Sequence, residues 1–128
     1  MIEKTAIIID DDEAINSLLG ELLTLYGYDV VGSGFDGNDA ISLYTKHNPS
    51  IVLLDVRMPK KNGFEALGEI KKIDPSSTVI MITGEVESQT NDRLQSLGAS
   101  AIVYKPFEVE KLIKVINKAI KSNKMIVQ

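Results

Sequence analysis

Four apolar runs in this sequence end in side chains that can bind a metal ion or stabilise a transferred phosphoryl group. The first run leads into an acidic stretch at residues 10–13, and a later run ends in Asp55. Two further runs are followed by Thr83 and Lys105. In an open parallel sheet, ligands bind beyond the carboxyl ends of the strands. We therefore expect the carboxylates, the hydroxyl and the ammonium group to share one region.

This combination of side chains predicts a cation site used for phosphoryl transfer. Several carboxylates in one place repel each other, so the cluster needs a cation. Carboxylate oxygens, water and a phosphate oxygen are the ligands that magnesium prefers. One carboxylate can then attack phosphorus, while the lysine and the hydroxyl stabilise charge on the phosphoryl oxygens. Asp55 is the better nucleophile because it stands alone at a strand end, whereas Asp10 and Asp11 form a metal-binding pair.

Alternating strands and helices must position these groups. Three apolar runs are too short for helices, and their β-branched residues suit strands buried on both faces of a parallel sheet. Two weaker runs complete a set of five at residues 6–9, 29–32, 51–54, 79–82 and 101–104. Segments with helical apolar spacing follow them at residues 15–26, 40–44, 64–70, 88–97 and 109–120. Right-handed crossovers then predict an α/β fold, a doubly wound sheet with helices on both faces.

Composition narrows the class of protein further. With 128 residues, 44% of them hydrophobic, the chain suits one domain spanning residues 1–128. Its net charge of −4 disfavours direct binding of nucleic acid, and the absence of cysteine excludes disulfides and thiolate metal sites. The first residues lack the pattern of a signal peptide, and no apolar run approaches membrane-spanning length. We therefore expect a cytoplasmic protein that does not bind membranes.

Four segments of the chain form a recognisable set of motifs: Ile-Ile-Ile-Asp-Asp-Asp-Glu, Leu-Leu-Asp-Val-Arg-Met-Pro-Lys-Lys-Asn-Gly, Ile-Thr-Gly and Tyr-Lys-Pro-Phe. They resemble the signature segments of response-regulator receiver domains, the chemotaxis-regulator-like domains of two-component signalling. They occur in the family's order, and the resemblance covers nearly the whole chain. It implies the flavodoxin-like receiver fold, in which five helices surround a five-stranded sheet of strand order 2-1-3-4-5.

The resemblance also implies a role for each site residue. Asp55 would be the phosphoacceptor, Lys105 would pair with one phosphate oxygen, and Thr83 would hydrogen-bond another. The cofactor would be Mg²⁺ or Mn²⁺, and Asp10 would hold one of its water molecules. The metal positions implied are Asp10, Asp11, Asp55 and the backbone carbonyl of Arg57. Pro106 would follow a cis peptide bond, which a lysine–proline pair adopts at modest cost.

One departure from the family concerns the residues that respond to phosphorylation. Many receivers carry an aromatic residue three positions before the lysine, and this sequence has Ile102 there. Tyr104 lies two residues further on and, by strand alternation, on the same face. We expect Thr83, Ile102 and Tyr104 to form the switch, with Tyr104 partly serving as the moving aromatic side chain.

Arg57 and Glu85 stand two positions beyond Asp55 and Thr83. By resemblance they flank the phosphate and tune how readily water attacks it. We expect an ion pair between them to slow hydrolysis by covering the site.

The resemblance implies partners rather than a separate substrate. The phosphoryl donor would be a sensor histidine kinase or a phosphotransfer protein, with acetyl phosphate as a small donor. The domain would catalyse its own phosphorylation and dephosphorylation, and would not otherwise be an enzyme. A downstream protein would bind the fourth helix, fifth strand and fifth helix, and phosphorylation could produce a homodimer.

Two other functions stay open at this point. A phosphatase of the haloacid-dehalogenase type uses a first-strand aspartate, a second aspartate two positions on, a threonine and a lysine. Asp10, Asp12, Thr83 and Lys105 mimic that order, but Asp55 is then unexplained. The second alternative is a receiver-like interaction module that no longer accepts phosphate. A flavin-binding protein is disfavoured because acidic residues follow the first strand in place of a hydroxyl- and glycine-rich phosphate loop.

Overall fold

The computed structural model of the chain describes residues 4–122 and 126–127. Strands and helices alternate along it as the sequence predicts. The strands are β1 (Thr5–Ile9), β2 (Asp29–Gly34), β3 (Ile51–Leu54), β4 (Val79–Thr83), β5 (Ala101–Tyr104) and β6 (Ile126–Val127). The helices are α1 (Glu13–Leu25), α2 (Gly37–His47), α3 (Gly63–Ile73), α4 (Ser88–Ser96) and α5 (Val109–Ser122).

All strands of the sheet are parallel, in the order β2-β1-β3-β4-β5-β6. The order of the first five strands is therefore the predicted 2-1-3-4-5. The two-residue strand β6 extends the sheet beyond the expected five, and its Ile126 pairs with Ala101. A pair of apolar residues is too short to show a strand period in a sequence, so the pattern could not reveal it.

The central strands are buried because helices cover both faces of the sheet. Every side chain of β3 and β4 is buried. Alternation along β1 sends Ala6 and Ile8 into one apolar cluster, with residues of α1 and α5. It sends Ile7 and Ile9 into the other cluster, with residues of α2 and α3. This two-sided burial explains why the strands read as continuous apolar runs.

The parallel register brings the ends of the strands to one edge of the sheet. Ile9 pairs with Leu54, so the residues that follow them, Asp10 and Asp55, are neighbours. The backbone amide of Asp55 donates to the carbonyl of Ile9 at 3.0 Å. At the same edge, between β4 and β5, the amide of Lys105 donates to the carbonyl of Thr83 at 2.8 Å.

Side-chain caps fix where three helices begin beside this edge. Asp12 caps α1 by accepting hydrogen bonds from the amides of Ala14 and Ile15. Asp36 caps α2, and Asn62 caps α3 in a reciprocal capping box with Glu65. The side chain of Asp12 therefore serves the start of α1. Within the described ranges, no helix has the length and apolar character needed to cross a membrane.

Candidate functional site

Three carboxylates meet at the carboxyl edge of the sheet. Oxygens of Asp10, Asp11 and Asp55 all lie within 4.8 Å of one another. Asp10 is only 2% exposed and Asp55 only 8%, whereas Asp11 is open to solvent. The structure thus brings together the acidic groups that the sequence placed at the ends of two separate strands.

Lys105 reaches this acidic group from the end of β5. Its Nζ lies 3.0 Å from Oδ2 of Asp10 and 3.7 Å from Oδ1 of Asp55. The peptide bond between Lys105 and Pro106 is cis, as the family resemblance implied. One ammonium group faces three carboxylates here, so negative charge remains uncompensated among these four side chains.

The environment of Asp55 disfavours its charged form. Burial raises the pKa of this carboxyl to about 6, and the negative charge of Asp10 contributes in the same direction. The positive charge of Lys105 and a hydrogen bond from the Val56 amide to Oδ1, at 2.8 Å, partly oppose the shift. A further positive charge beside Asp55 would therefore be stabilising at neutral pH.

The oxygens that remain open suit a hard divalent cation. Both oxygens of Asp10 are engaged, Oδ1 by the amide of Asp12 at 2.9 Å and Oδ2 by Lys105. Oδ2 of Asp55 and the carboxylate of Asp11 accept no hydrogen bond from the described residues. An all-oxygen donor set with two open carboxylates fits magnesium. It also fits the expectation that Asp10 acts on a metal through water.

Buried polar contacts hold the acidic loop in place. Asn16 lies in α1 and is buried, and its side-chain amide donates to the carbonyl of Asp10 at 3.2 Å and to that of Gly34 at 2.9 Å. Sequence reasoning missed this residue. A polar side chain next to Ile15 in an apolar helical stripe was the available signal, because buried amides need partners.

Glycines shape the loop that follows Asp55. A Cβ atom on Gly63 would lie 2.1 Å from the carbonyl oxygen of Asp55, and the Gly63 amide donates to the carbonyl of Val56 at 2.8 Å. A Cβ on Gly37 would lie 2.2 Å from the carbonyl oxygen of Lys61. Backbone therefore packs directly on backbone at both places, which only glycine permits.

Thr83 ends β4 and is 1% exposed. Its hydroxyl oxygen accepts a hydrogen bond from the amide of Glu85 at 3.0 Å. The carboxylate of Glu85 pairs with the guanidinium of Arg57 through two hydrogen bonds, of which Nη2 to Oε1 measures 3.0 Å. The predicted contact between Arg57 and Glu85 is therefore present, and it holds the pKa of Glu85 below its usual range.

Ile102 and Tyr104 point to the same face of the sheet, as strand alternation predicted. Ile102 is fully buried in the cluster that contains α2 and α3 side chains, and Tyr104 is half-buried against that cluster. The position that is aromatic in many receivers is thus filled by an aliphatic side chain that packs in the core.

The geometry does not support the haloacid-dehalogenase alternative. Oδ1 of Asp12 accepts the amides of Ala14 and Ile15 at the start of α1, which is a capping role. Asp12 is also outside the group of carboxylates within 4.8 Å of one another, whereas Asp55 belongs to it. The aspartate that would have to act as the second catalytic aspartate of such a phosphatase is therefore used to cap α1.

Comparison with known proteins gives a consistent result. Residues 6–117 match the family described as the response regulator receiver domain. The chain is 31% identical to the chemotaxis protein CheY of Thermotoga maritima, over 92% of this chain and 98% of that protein. It is 33% identical to the transcriptional regulatory protein PdtaR of Mycobacterium tuberculosis, over 93% of this chain but 58% of that protein.

Solved structures show the same architecture. A CheY in the CheX–CheY–BeF3–Mg complex from Borrelia burgdorferi is 28% identical, with a TM-score of 0.86 over 89% of this chain and 87% of that one. A CheY-like receiver domain protein from Methanospirillum hungatei is similar in fold, with a TM-score of 0.89 at 24% identity over 95% of this chain and 97% of that one.

Proposed function

Because this chain belongs to the response regulator receiver domain family, we propose that Asp55 accepts a phosphoryl group from a phosphohistidine. The donor would be a sensor histidine kinase or a phosphotransfer protein. The observation that carries the proposal is the position of Asp55 at the end of a central strand, beside two other aspartates and within 3.7 Å of Lys105 Nζ. Asp10 shares these neighbours, but the amide of Asp12 and the ammonium group of Lys105 already engage both of its oxygens, whereas Oδ2 of Asp55 accepts no hydrogen bond from the described residues.

The reaction is an in-line displacement at phosphorus. One carboxylate oxygen of Asp55 attacks, and the other oxygen of the same carboxylate is left for the metal ion. The bond between phosphorus and the donor nitrogen breaks, and its electron pair stays on the imidazole. Lys105 pairs with a phosphoryl oxygen, and the hydroxyl of Thr83 donates to another, so that each stabilises charge on the transferred group. Water later attacks the acyl phosphate and regenerates Asp55.

Asp11, Asp55 and the backbone carbonyl of Arg57 would hold a magnesium ion, or manganese in its place, with Asp10 binding through water. The bound ion supplies positive charge that offsets the carboxylates and the phosphoryl oxygens. The first support is the donor set, which consists of oxygen atoms alone. The second is the raised pKa of Asp55, because the positive charge of Lys105 alone does not offset the cost of burying the charged carboxylate.

The Arg57–Glu85 pair slows hydrolysis by covering the phosphoryl group. Its position two residues beyond Asp55 and Thr83 supports this role. The phosphorylated domain then controls a downstream protein through α4, β5 and α5, or associates with a second copy of itself. One domain over residues 1–128, a cytoplasmic location and the absence of nucleic-acid and membrane binding stay predictions.

Tyr104 takes part in the response to phosphorylation, because its half-buried ring lies on the same face of β5 as Ile102. Ile102 lies deeper in the core on that face. Replacing Tyr104 by leucine should weaken phosphorylation-dependent partner binding or self-association. The matched control is Tyr26→Leu, at an exposed tyrosine at the end of α1. Unchanged association of the Tyr104 variant would remove this residue from the proposal.

The decisive experiment is incubation with acetyl phosphate and magnesium, followed by intact-mass and peptide mass spectrometry. The wild type should gain one phosphoryl group, located on Asp55. Asp55→Asn should gain none, while Asp92→Asn, at an exposed aspartate of α4, should behave as the wild type. A folded wild-type protein without phosphate uptake would support the alternative of a receiver-like module that no longer signals by phosphorylation.

A further inference from the structure

Glu85 connects three parts of the molecule that would otherwise be separate. Its backbone amide donates to the hydroxyl of Thr83, and its carboxylate pairs with Arg57. The same carboxylate also accepts a hydrogen bond from the hydroxyl of Thr90, at 3.1 Å from Oε1. Thr90 lies in the first turn of α4 and is buried. One residue thus contacts the end of β4, the loop after β3 and the start of α4.

The start of α4 has few other attachments. Its N-cap residue, Glu87, makes no side-chain capping bond, in contrast to the caps of α1, α2 and α3. Only Thr90 and Leu94 of this nine-residue helix are buried. Elements with few buried contacts open and shift at low free-energy cost. The bond between Thr90 and Glu85 is therefore a large part of what fixes the first turn of α4.

We propose that Glu85 and Thr90 are positioning residues that hold α4 in its resting place until Thr83 engages the phosphoryl group. The proposal rests on the proposed function, because phosphorylation of Asp55 is the trigger. It also provides a way to transmit the change without the aromatic ring that many receivers carry three positions before the lysine. The buried Ile102 fills that position in this chain.

The coupling follows from the hydrogen bonds of the Thr83 hydroxyl. In the resting protein this oxygen accepts the amide of Glu85 at 3.0 Å. When the hydroxyl turns to donate to a phosphoryl oxygen, the Glu85 amide must follow it or lose its acceptor. In this proposal the amide follows the oxygen, and the resulting shift of the Glu85 backbone displaces its carboxylate relative to Thr90. The bond to α4 then breaks, and the helix is free to move.

Removing a contact that exists only in the resting state shifts the equilibrium toward the active state. Thr90→Val keeps the shape of the side chain and deletes the hydroxyl. The loss of one such hydrogen bond should tighten the binding of a phosphoryl mimic about threefold to tenfold. A residue that only stabilised the fold would lower the thermal midpoint without tightening this binding.

The experiment is a titration of the full chain with beryllium fluoride in the presence of magnesium, followed by amide NMR of α4. In Thr90→Val, the resonances of the free protein should lie part of the way toward their bound positions. Half-saturation should occur at a lower beryllium fluoride concentration than in the wild type. Thr90→Ser retains the hydroxyl and should restore wild-type affinity.

Thr45→Val is the matched control, because the Thr45 hydroxyl bonds to the Ile41 carbonyl within its own helix. It should leave both the resonances and the affinity unchanged. Equal affinity in Thr90→Val and the wild type, or an equal change in the serine and valine variants, would overturn the role of Thr90. A wild type that binds no beryllium fluoride would instead overturn the proposed function and this inference together.

Discussion

The ammonium nitrogen of Lys105 lies 3.7 Å from Oδ1 of Asp55, across the strand β4 that separates their own strands. The carboxylate is almost enclosed, so little water screens this attraction. Lys105 therefore lowers the pKa of Asp55, against the larger effect of burial. This contact favours the charged form of Asp55, which the proposed phosphoryl transfer requires.

Replacing Lys105 by methionine should raise the pKa of Asp55 above its value of about 6 in the metal-free protein. The physical reason is the loss of the positive charge that opposes burial and Asp10. The measurement is a carboxyl-carbon NMR titration, with Lys46→Met at an exposed position of α2 as the control. A pKa that stays unchanged in the Lys105 variant would show that this ion pair does not form in solution.

Asp55 should make the metal-free protein less stable as the pH rises. Its folded-state pKa of about 6 lies above its ordinary value of 3.8, so the folded state binds more protons between these values. The stabilising contribution is complete below pH 3.8 and is lost as the pH rises through 6. The full difference corresponds to about 3 kcal/mol, and residual contact with water reduces the expected effect to about 1–2 kcal/mol.

Asp55→Asn tests this directly, because asparagine does not titrate. The variant should be more stable than the wild type by that amount at pH 7.5 and nearly equal to it at pH 4, as measured by urea unfolding in EDTA. A difference that is independent of pH would mean that repacking, rather than charge, distinguishes the two proteins.

Magnesium should stabilise the folded protein and lose this effect in acid. A ligand present at ten times its dissociation constant contributes about 1.4 kcal/mol to the free energy of unfolding. Protonation of Asp55 competes with the ion, so the effect should decline as the pH falls through about 6. Thermal unfolding with and without magnesium measures it. Asp11→Asn should strongly reduce the stabilisation by magnesium. An equally large reduction in Asp92→Asn would indicate non-specific binding.

Arg57→Ala should shorten the lifetime of the acyl phosphate. The proposed cover over the phosphoryl group is the pair between the exposed guanidinium and Glu85, and an exposed pair has a modest effect, so the expected change is about twofold to fivefold. Loss of the phosphoryl group after removal of the donor is followed by mass spectrometry. Glu85→Ala should act in the same direction, and Lys46→Ala should have no effect. An unaltered lifetime in Arg57→Ala would refute the role of the pair as a cover.

Gly63→Ala should destabilise the protein and impair phosphorylation. The added methyl group would lie 2.1 Å from the Asp55 carbonyl oxygen and 2.7 Å from the Cα of Val56. Both are backbone atoms, which cannot rotate away as the end of a side chain can. The expected loss is about 2 kcal/mol or more in the free energy of unfolding. Gly68→Ala is the matched control in the same helix, because its Cβ meets only a Leu97 methyl at 3.7 Å. It should raise stability by up to about 1 kcal/mol.

The apolar runs of the sequence indicated the first five strands and the residues at their carboxyl edge, whereas the strand order 2-1-3-4-5 came from the family resemblance. Continuous β-branched runs mark strands buried on both faces, and parallel strands all present their carboxyl ends to one edge. Asp10, Asp55, Thr83 and Lys105 each follow such a run directly, so their meeting required no knowledge of packing. The pairing of Arg57 with Glu85 was also expected, because by the family resemblance both residues flank the phosphate site two positions beyond Asp55 and Thr83.

Only the tertiary structure decided which atoms of these side chains meet. Nζ of Lys105 lies 3.0 Å from Asp10 and 3.7 Å from Asp55. This small difference depends on how β5 packs beside β4. The bond from Thr90 to Glu85 and the anchoring of Asp10 by Asn16 join residues whose helical patterns look like ordinary surface and core positions. Periodicity along a chain specifies which way a side chain faces, whereas its partners depend on non-local packing of separate elements.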